Sequence, residues 1–175
     1  MSTGIIRRID ELGRIVIPKE IRKSLRIRVG ENLEISVEDE SIILKKFSMM
    51  NKISDLAQEL TDSIYTFMKY NIIITDRSNI IACSGPIKKE ILNKNLSNEL
   101  TLMLDKRTKI IESHLKNISI IENIELNGSY ITNPIIKDGE VIGMIMVFSK
   151  TEKLSIDQMH IIEIVSSFIT KYLEE

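Results

Sequence analysis

The small size of residues 1–47, which read as a self-contained set of strands and one short helix, constrains the chain more than any other feature. Residues 5–9 read as a strand, Asp10-Glu11-Leu12-Gly13 as a turn with Gly13 suited to a positive φ, and residues 14–17 as a second strand rich in β-branched side chains. Pro18 fits the first position of a helix, where its missing N–H costs nothing. Residues 33–37 alternate strictly between apolar and polar, residues 38–41 turn the chain, and residues 42–47 return as a strand. Two hairpin-like pieces around one short helix lie near the lower size limit for independent folding. The chain has one cysteine, Cys83, and two histidines, His114 and His160, so a disulfide is excluded and no metal centre is expected. Association is the stabiliser that remains, which predicts an obligate dimer.

Charge points to what such a dimer would hold. The chain carries 24 basic and 25 acidic residues, a net −1, so a surface for a polyanion has to come from clustering. Residues 1–30 hold Arg7, Arg8, Arg14, Lys19, Arg22, Lys23, Arg26 and Arg28 against Asp10, Glu11 and Glu20, a local charge of +5. Residues 31–40 carry Glu31, Glu34, Glu38, Asp39 and Glu40 with no base. On a helix over residues 19–26, Ile21 and Leu25 share one face, while Lys19, Arg22, Lys23 and Arg26 line the other. That stripe suits a nucleic acid, the alternative being an ordinary solvated face. The acidic tip around Glu38–Glu40 should lie away from it.

After a junction at residues 48–51, the spacing predicts a helix over 52–70 and strands over 71–76 and 80–83. Shorter helices follow over 87–93 and 97–106, then strands near 118–121, 130–136 and 141–148, with the Asp138-Gly139 hairpin signal between the last two. Ser155 with Gln158 opens a final helix to about residue 173. Helices at both ends of a run of strands make an α+β fold with an antiparallel sheet. No apolar run approaches membrane-spanning length and the N-terminus carries no secretory signal, so a cytoplasmic chain with no membrane partner is expected.

Enzymatic chemistry is poorly supported. No nucleophile, base and orienting group recur at an interpretable spacing, so the chain is read as a non-enzyme with no catalytic residues and no cofactor. Cys83 follows an apolar strand and reads as a small buried hydrophobe rather than a redox sensor. His160 lies on an early turn of the last helix as a surface or interface group, and His114 falls in a loop or beside a pocket.

The run Ser-Thr-Gly-Ile-Ile-Arg-Arg-Ile-Asp-Glu-Leu-Gly-Arg-Ile-Val-Ile-Pro-Lys-Glu-Ile-Arg over residues 2–22 closely resembles the AbrB family of transition-state regulators, bacterial DNA-binding proteins. The second part resembles a GAF-type sensor domain over residues 130–150 and the flanking helices, closing on Val147-Phe148-Ser149-Lys150. The pairing of the two resembles the sporulation regulators among these proteins. The resemblance implies an N-terminal swapped-hairpin β-barrel, dimeric, over residues 1–50, and a GAF-like antiparallel-sheet domain flanked by helices over residues 51–175. It implies double-stranded DNA as the partner, contacted by Arg7, Arg14, Arg22 and Lys23, with Arg8 adjacent on the other side of a strand. Pairing of Arg14 with Asp10 or Glu11 in its own turn is the alternative for that residue.

The resemblance further implies a nucleoid-associated homotetramer, two dimers joined through the C-terminal domain, and leaves a small-molecule effector open. Two other readings remain. One is an antitoxin-type DNA binder of the same fold, whose mark would be a disordered toxin-binding tail where this chain has a folded-looking domain. The other is a GAF-fold redox or ligand-binding enzyme, for which a single cysteine is a poor endowment.

Overall fold

The computed structural model describes residues 4–174 in two units, one ending at Phe47 and the other starting at Ser48. Ser2 and Thr3 of the family-like run lie outside the described residues. In the first unit Pro18 precedes α1 (Lys19–Ser24), and its carbonyl accepts the Arg22 N–H at 3.0 Å. β1 (Leu33–Glu38) and β2 (Ser41–Lys46) form an antiparallel hairpin, with Asp39 in the left-handed region (φ 51°) at its tip. The register sets Ile35 opposite Leu44 and Val37 opposite Ile42, which places these four side chains on one face, and all four are exposed.

Two expectations for this unit are corrected. Residues 5–9 and 14–17 carry no strand ladder within the chain. The turn between them does form: Gly13 N–H donates to Asp10 O at 3.0 Å, Asp10 N–H donates to Arg14 O at 3.1 Å, and Gly13 takes φ 76°. A strand exists only by pairing, and one chain offers these segments no partner. The helix also stops at Ser24, because Arg26 adopts φ 53°, so Arg26 leaves the stripe that spacing assigned to it.

The second unit is built on isoleucine-rich strands. A 3₁₀ turn (Met49–Ile53) leads into α2 (Ser54–Met68). The strands are β3 (Asn71–Thr75), β4 (Ile80–Ser84), β5 (Ile110–Ile121), β6 (Ile124–Lys137) and β7 (Glu140–Ser149), all paired antiparallel in the order β4-β3-β7-β6-β5. Two short helices, α3 (Lys88–Ile91) and α4 (Asn98–Asp105), separate β4 from β5, and α5 (Ile156–Tyr172) closes the chain. Alternation sends Ile72, Ile74, Ile131, Ile145 and Val147 into one core, with Met159 and Ile162 of α5 and Ala57 of α2. It sends Ile73, Met146, Phe148 and Ile118 into the other, with Ile91, Leu100 and Leu104 of α3 and α4. The sheet is thus covered on both faces. β5 begins at Ile110, eight residues before the expected start, because its first half is largely solvent-facing and carries little apolar signal. No helix among the described residues is long and apolar enough to cross a membrane.

Candidate nucleic-acid interface

The turn after residue 9 is organised by one carboxylate. Asp10 Oδ1 accepts the Leu12 N–H at 3.0 Å and the Arg14 N–H at 2.8 Å, while Oδ2 accepts Arg14 Nε–H at 2.7 Å. Aspartate is short enough to reach backbone two and four residues ahead, which is how such side chains nucleate turns. The backbone and guanidinium hydrogen bonds from Arg14 hold the Asp10 carboxyl below the ordinary aspartate range. The Arg14 side chain remains 73% exposed, so the pair is an outward-facing one.

The other four expected contacts sit on the same unit. Arg7 and Arg8 lie exposed before the turn, with Arg7 Nη1 donating to Ile6 O at 3.3 Å. Lys23 is exposed in the last turn of α1, and Arg22 beside it is half-buried. Arg22 Nε is buried without a hydrogen-bond partner among the described residues. Of the five, Arg14 is the one fixed by a carboxylate; the spacing alone left that pairing open against a DNA contact. At the far end of the hairpin, Glu38 pairs with Lys45 at 3.8 Å, and Asp39 and Glu40 stand exposed at the tip. Lys46 bridges Arg26 O at 2.7 Å and Glu31 at 3.6 Å, which ties the segment after α1 to β2.

In the second unit, burial pushes the Cys83 thiol up to about 12. Its backbone is clamped by Gln58 of α2: Gln58 Oε1 accepts the Cys83 N–H at 3.3 Å and Gln58 Nε2 donates to Cys83 O at 3.1 Å. His114 lies exposed on β5, 3.7 Å from Glu112. Among the described residues no group of three or more metal-binding side chains gathers. A cleft of about 270 Å³ lies beside Tyr70, Pro86, Lys150 and Glu152, where the Tyr70 hydroxyl donates to Glu152 Oε2 at 2.6 Å.

Known proteins place both units. Residues 52–174 match the family described as the stage V sporulation protein T C-terminal, transcription factor. Residues 6–48 match the MazE family, described as antidote-toxin recognition, bacterial antitoxin. Stage V sporulation protein T of Bacillus subtilis is 40% identical over 176 residues, covering 99% of each chain. Transition state regulatory protein AbrB of the same organism is 61% identical over 46 residues, 26% of this chain and 48% of AbrB. In fold, the second unit is similar to the GAF domain of an Acinetobacter phosphoenolpyruvate-protein phosphotransferase, with TM-score 0.58 at 12% identity over 74% of this chain and 84% of that one. A free methionine-R-sulfoxide reductase from Thermoplasma acidophilum aligns at TM-score 0.56 and 16% identity over 71% of this chain and 94% of that one. At such identities the likeness is one of fold.

Proposed function

Because the chain belongs to the stage V sporulation protein T family of transcription factors, we propose that it is a cytoplasmic, nucleoid-associated regulator of sporulation genes that binds double-stranded DNA as a dimer. Residues 1–50 form the DNA-binding domain and residues 51–175 the sensing and oligomerisation domain. One observation carries the dimer. Pro18 is the single buried residue among the described residues 4–47, while Ile35, Val37, Ile42 and Leu44 lie open on one hairpin face. Two copies that exchange hairpins would cover that face and give residues 5–9 and 14–17 the ladder they lack.

The DNA contacts are Arg7, Arg14, Arg22 and Lys23, with Arg8 beside them. Guanidinium groups suit phosphate and guanine alike, and an α1 of 6 residues has little room for other readers, so DNA shape contributes much of the selectivity. Two such dimers join into a tetramer through the helices of the second unit. There Phe67 of α2 and Ile164, Phe168 and Tyr172 of α5 stay exposed, and the Phe168 and Tyr172 rings lie tilted against each other with centroids 6.2 Å apart. Two DNA-binding units on one duplex gain avidity through effective concentration. For a small-molecule effector, the cleft beside Tyr70 and Glu152 is the place to look.

A redox enzyme is not favoured, since catalysis by sulfur needs a thiolate and the Cys83 thiol is buried and pushed up to about 12. Genome-wide DNA capture with the wild type and Arg14→Ala tests the regulator reading. Discrete promoter peaks that vanish in the variant are expected; identical profiles for the two proteins would overturn the assignment of Arg14.

A further inference from the structure

We infer that Asp10 is a positioning residue for sequence recognition: it holds Arg14 by the Nε edge, so that the paired Nη groups are presented end-on to a guanine. The inference rests on the proposal that Arg14 contacts DNA. Three features of the turn carry it.

The first is geometry. Asp10 receives three hydrogen bonds from within five residues, and only one of them comes from the guanidinium, through Nε at 2.7 Å. The Arg14 Nη groups make no hydrogen bond among the described residues, so the end of the fork is left for an outside partner. The second is electrostatics. A carboxylate against the guanidinium offsets its charge and weakens its pull on a phosphate, while the fork keeps its two donors. The major-groove edge of guanine, with O6 and N7 side by side, is the acceptor pair that matches such a fork. The third is selectivity of position. Glu11, next in sequence and equally charged, makes no hydrogen bond or ion pair among the described residues, so the pairing reflects the shape of the turn rather than charge alone.

An arginine held this way has fewer side-chain conformations to lose on binding, and it loses them towards one geometry. A loose arginine at the same place would exchange freely between phosphates and bases, raising affinity for every sequence alike. Asp10 therefore acts on discrimination, the ratio of affinities for a target and a non-target duplex, more than on affinity itself.

The test measures that ratio with the full-length chain, on one promoter duplex recovered by genome-wide capture and on a scrambled duplex of equal length. Asp10→Asn keeps an oxygen to accept the backbone N–H groups and removes the charge. It should lower the ratio at least about fivefold, the low end of one bidentate arginine–guanine contact, while affinity for the scrambled duplex holds or rises. Asp10→Glu restores the charge at the wrong reach and should also lower it. Glu11→Gln removes a neighbouring charge and should shift both affinities together, leaving the ratio in place. On an Arg14→Ala background, Asp10→Asn should change the ratio no further.

An unchanged ratio in Asp10→Asn would overturn the inference. So would an equal fall in Glu11→Gln, which would reduce the effect to charge, or a further fall on the Arg14→Ala background, which would make Asp10 a turn former only. Arg14→Ala by itself separates the two levels: if it leaves the ratio intact, the DNA contact fails, and if it abolishes the ratio while Asp10→Asn does not, only the positioning role fails. Sedimentation of each variant confirms that the assembly is retained.

Discussion

Two side chains titrate in opposite directions for reasons that can be checked one atom at a time. The hydrogen bonds Asp10 receives from the Arg14 backbone and guanidinium favour the ionised carboxylate, so its value lies below 3.8. The stabilisation is present above the unfolded aspartate value and is lost as pH falls through the folded one. A carbon-13 titration of the Asp10 carboxyl should find it below 3.8 in the wild type and moved upward in Arg14→Ala; a wild-type value at or above 3.8 would contradict the pairing. Cys83 runs the other way, with burial raising the thiol from 9.0 to about 12. The unfolded thiol ionises first as pH rises, so this contribution is complete below about pH 9 and fades between there and about 12. An alkylating agent at pH 8 should label Cys83 only after denaturation, and labelling of the native chain at the denatured rate would refute its burial. The inert cysteine was legible from the apolar strand around it. The grip of Asp10 on Arg14 was legible only as an alternative, because spacing cannot distinguish a carboxylate that reaches back to its turn from one that points to water.

At the scale of elements, hydrophobic period located most of the second unit, and it failed where one side of an element faces solvent. β5 shows this: Glu112, His114 and Lys116 dilute its first half, although its ladder with β6 runs back to Ile110. The strands missing from residues 5–9 and 14–17 show the converse, a β pattern that finds no partner in the same chain and forms no ladder there. Edge and crossing details were beyond the pattern altogether. The Gln58 amide pairs with both the N–H and the C=O of Cys83 on the edge strand β4, where it stands in for a neighbouring strand. Gln58→Leu leaves those two groups without partners and should cost about 1–3 kcal/mol in urea unfolding, with a rise in self-association; unaltered stability would show that solvent serves as well. Gly143 on β7 has no space for a side chain, since a Cβ there would lie 2.1 Å from Thr75 O of β3. Gly143→Ala should lower stability by about 3 kcal/mol, measured by thermal or urea unfolding, and a loss under about 0.5 kcal/mol would mean that the two strands can separate freely.

For the whole molecule, the sequence carried the order of elements in the second unit, and the open hairpin face of the first unit is a surface that a lone copy leaves uncovered. The dimer was legible from the small size of residues 1–47; what the sequence could not carry was which surface a partner covers, because a self-complementary face looks like an ordinary core pattern until the chain is folded and the pattern is seen to be uncovered. Full-length chain should sediment as a tetramer that dissociates to dimers, and replacing Phe168 by a charged residue should favour the dimer without unfolding the sheet. The central claim is that two copies of the first unit together hold a duplex by their arginines and lysines. The slope of log binding constant against log salt concentration on a promoter duplex tests it most directly. With about six to eight phosphates neutralised per dimer, the slope should be about −5 to −7. Lys23→Ala, which removes two cations per dimer, should make it shallower by about 2 while lowering affinity for all sequences alike. A slope near zero, or one that Lys23→Ala leaves unchanged, would contradict the account.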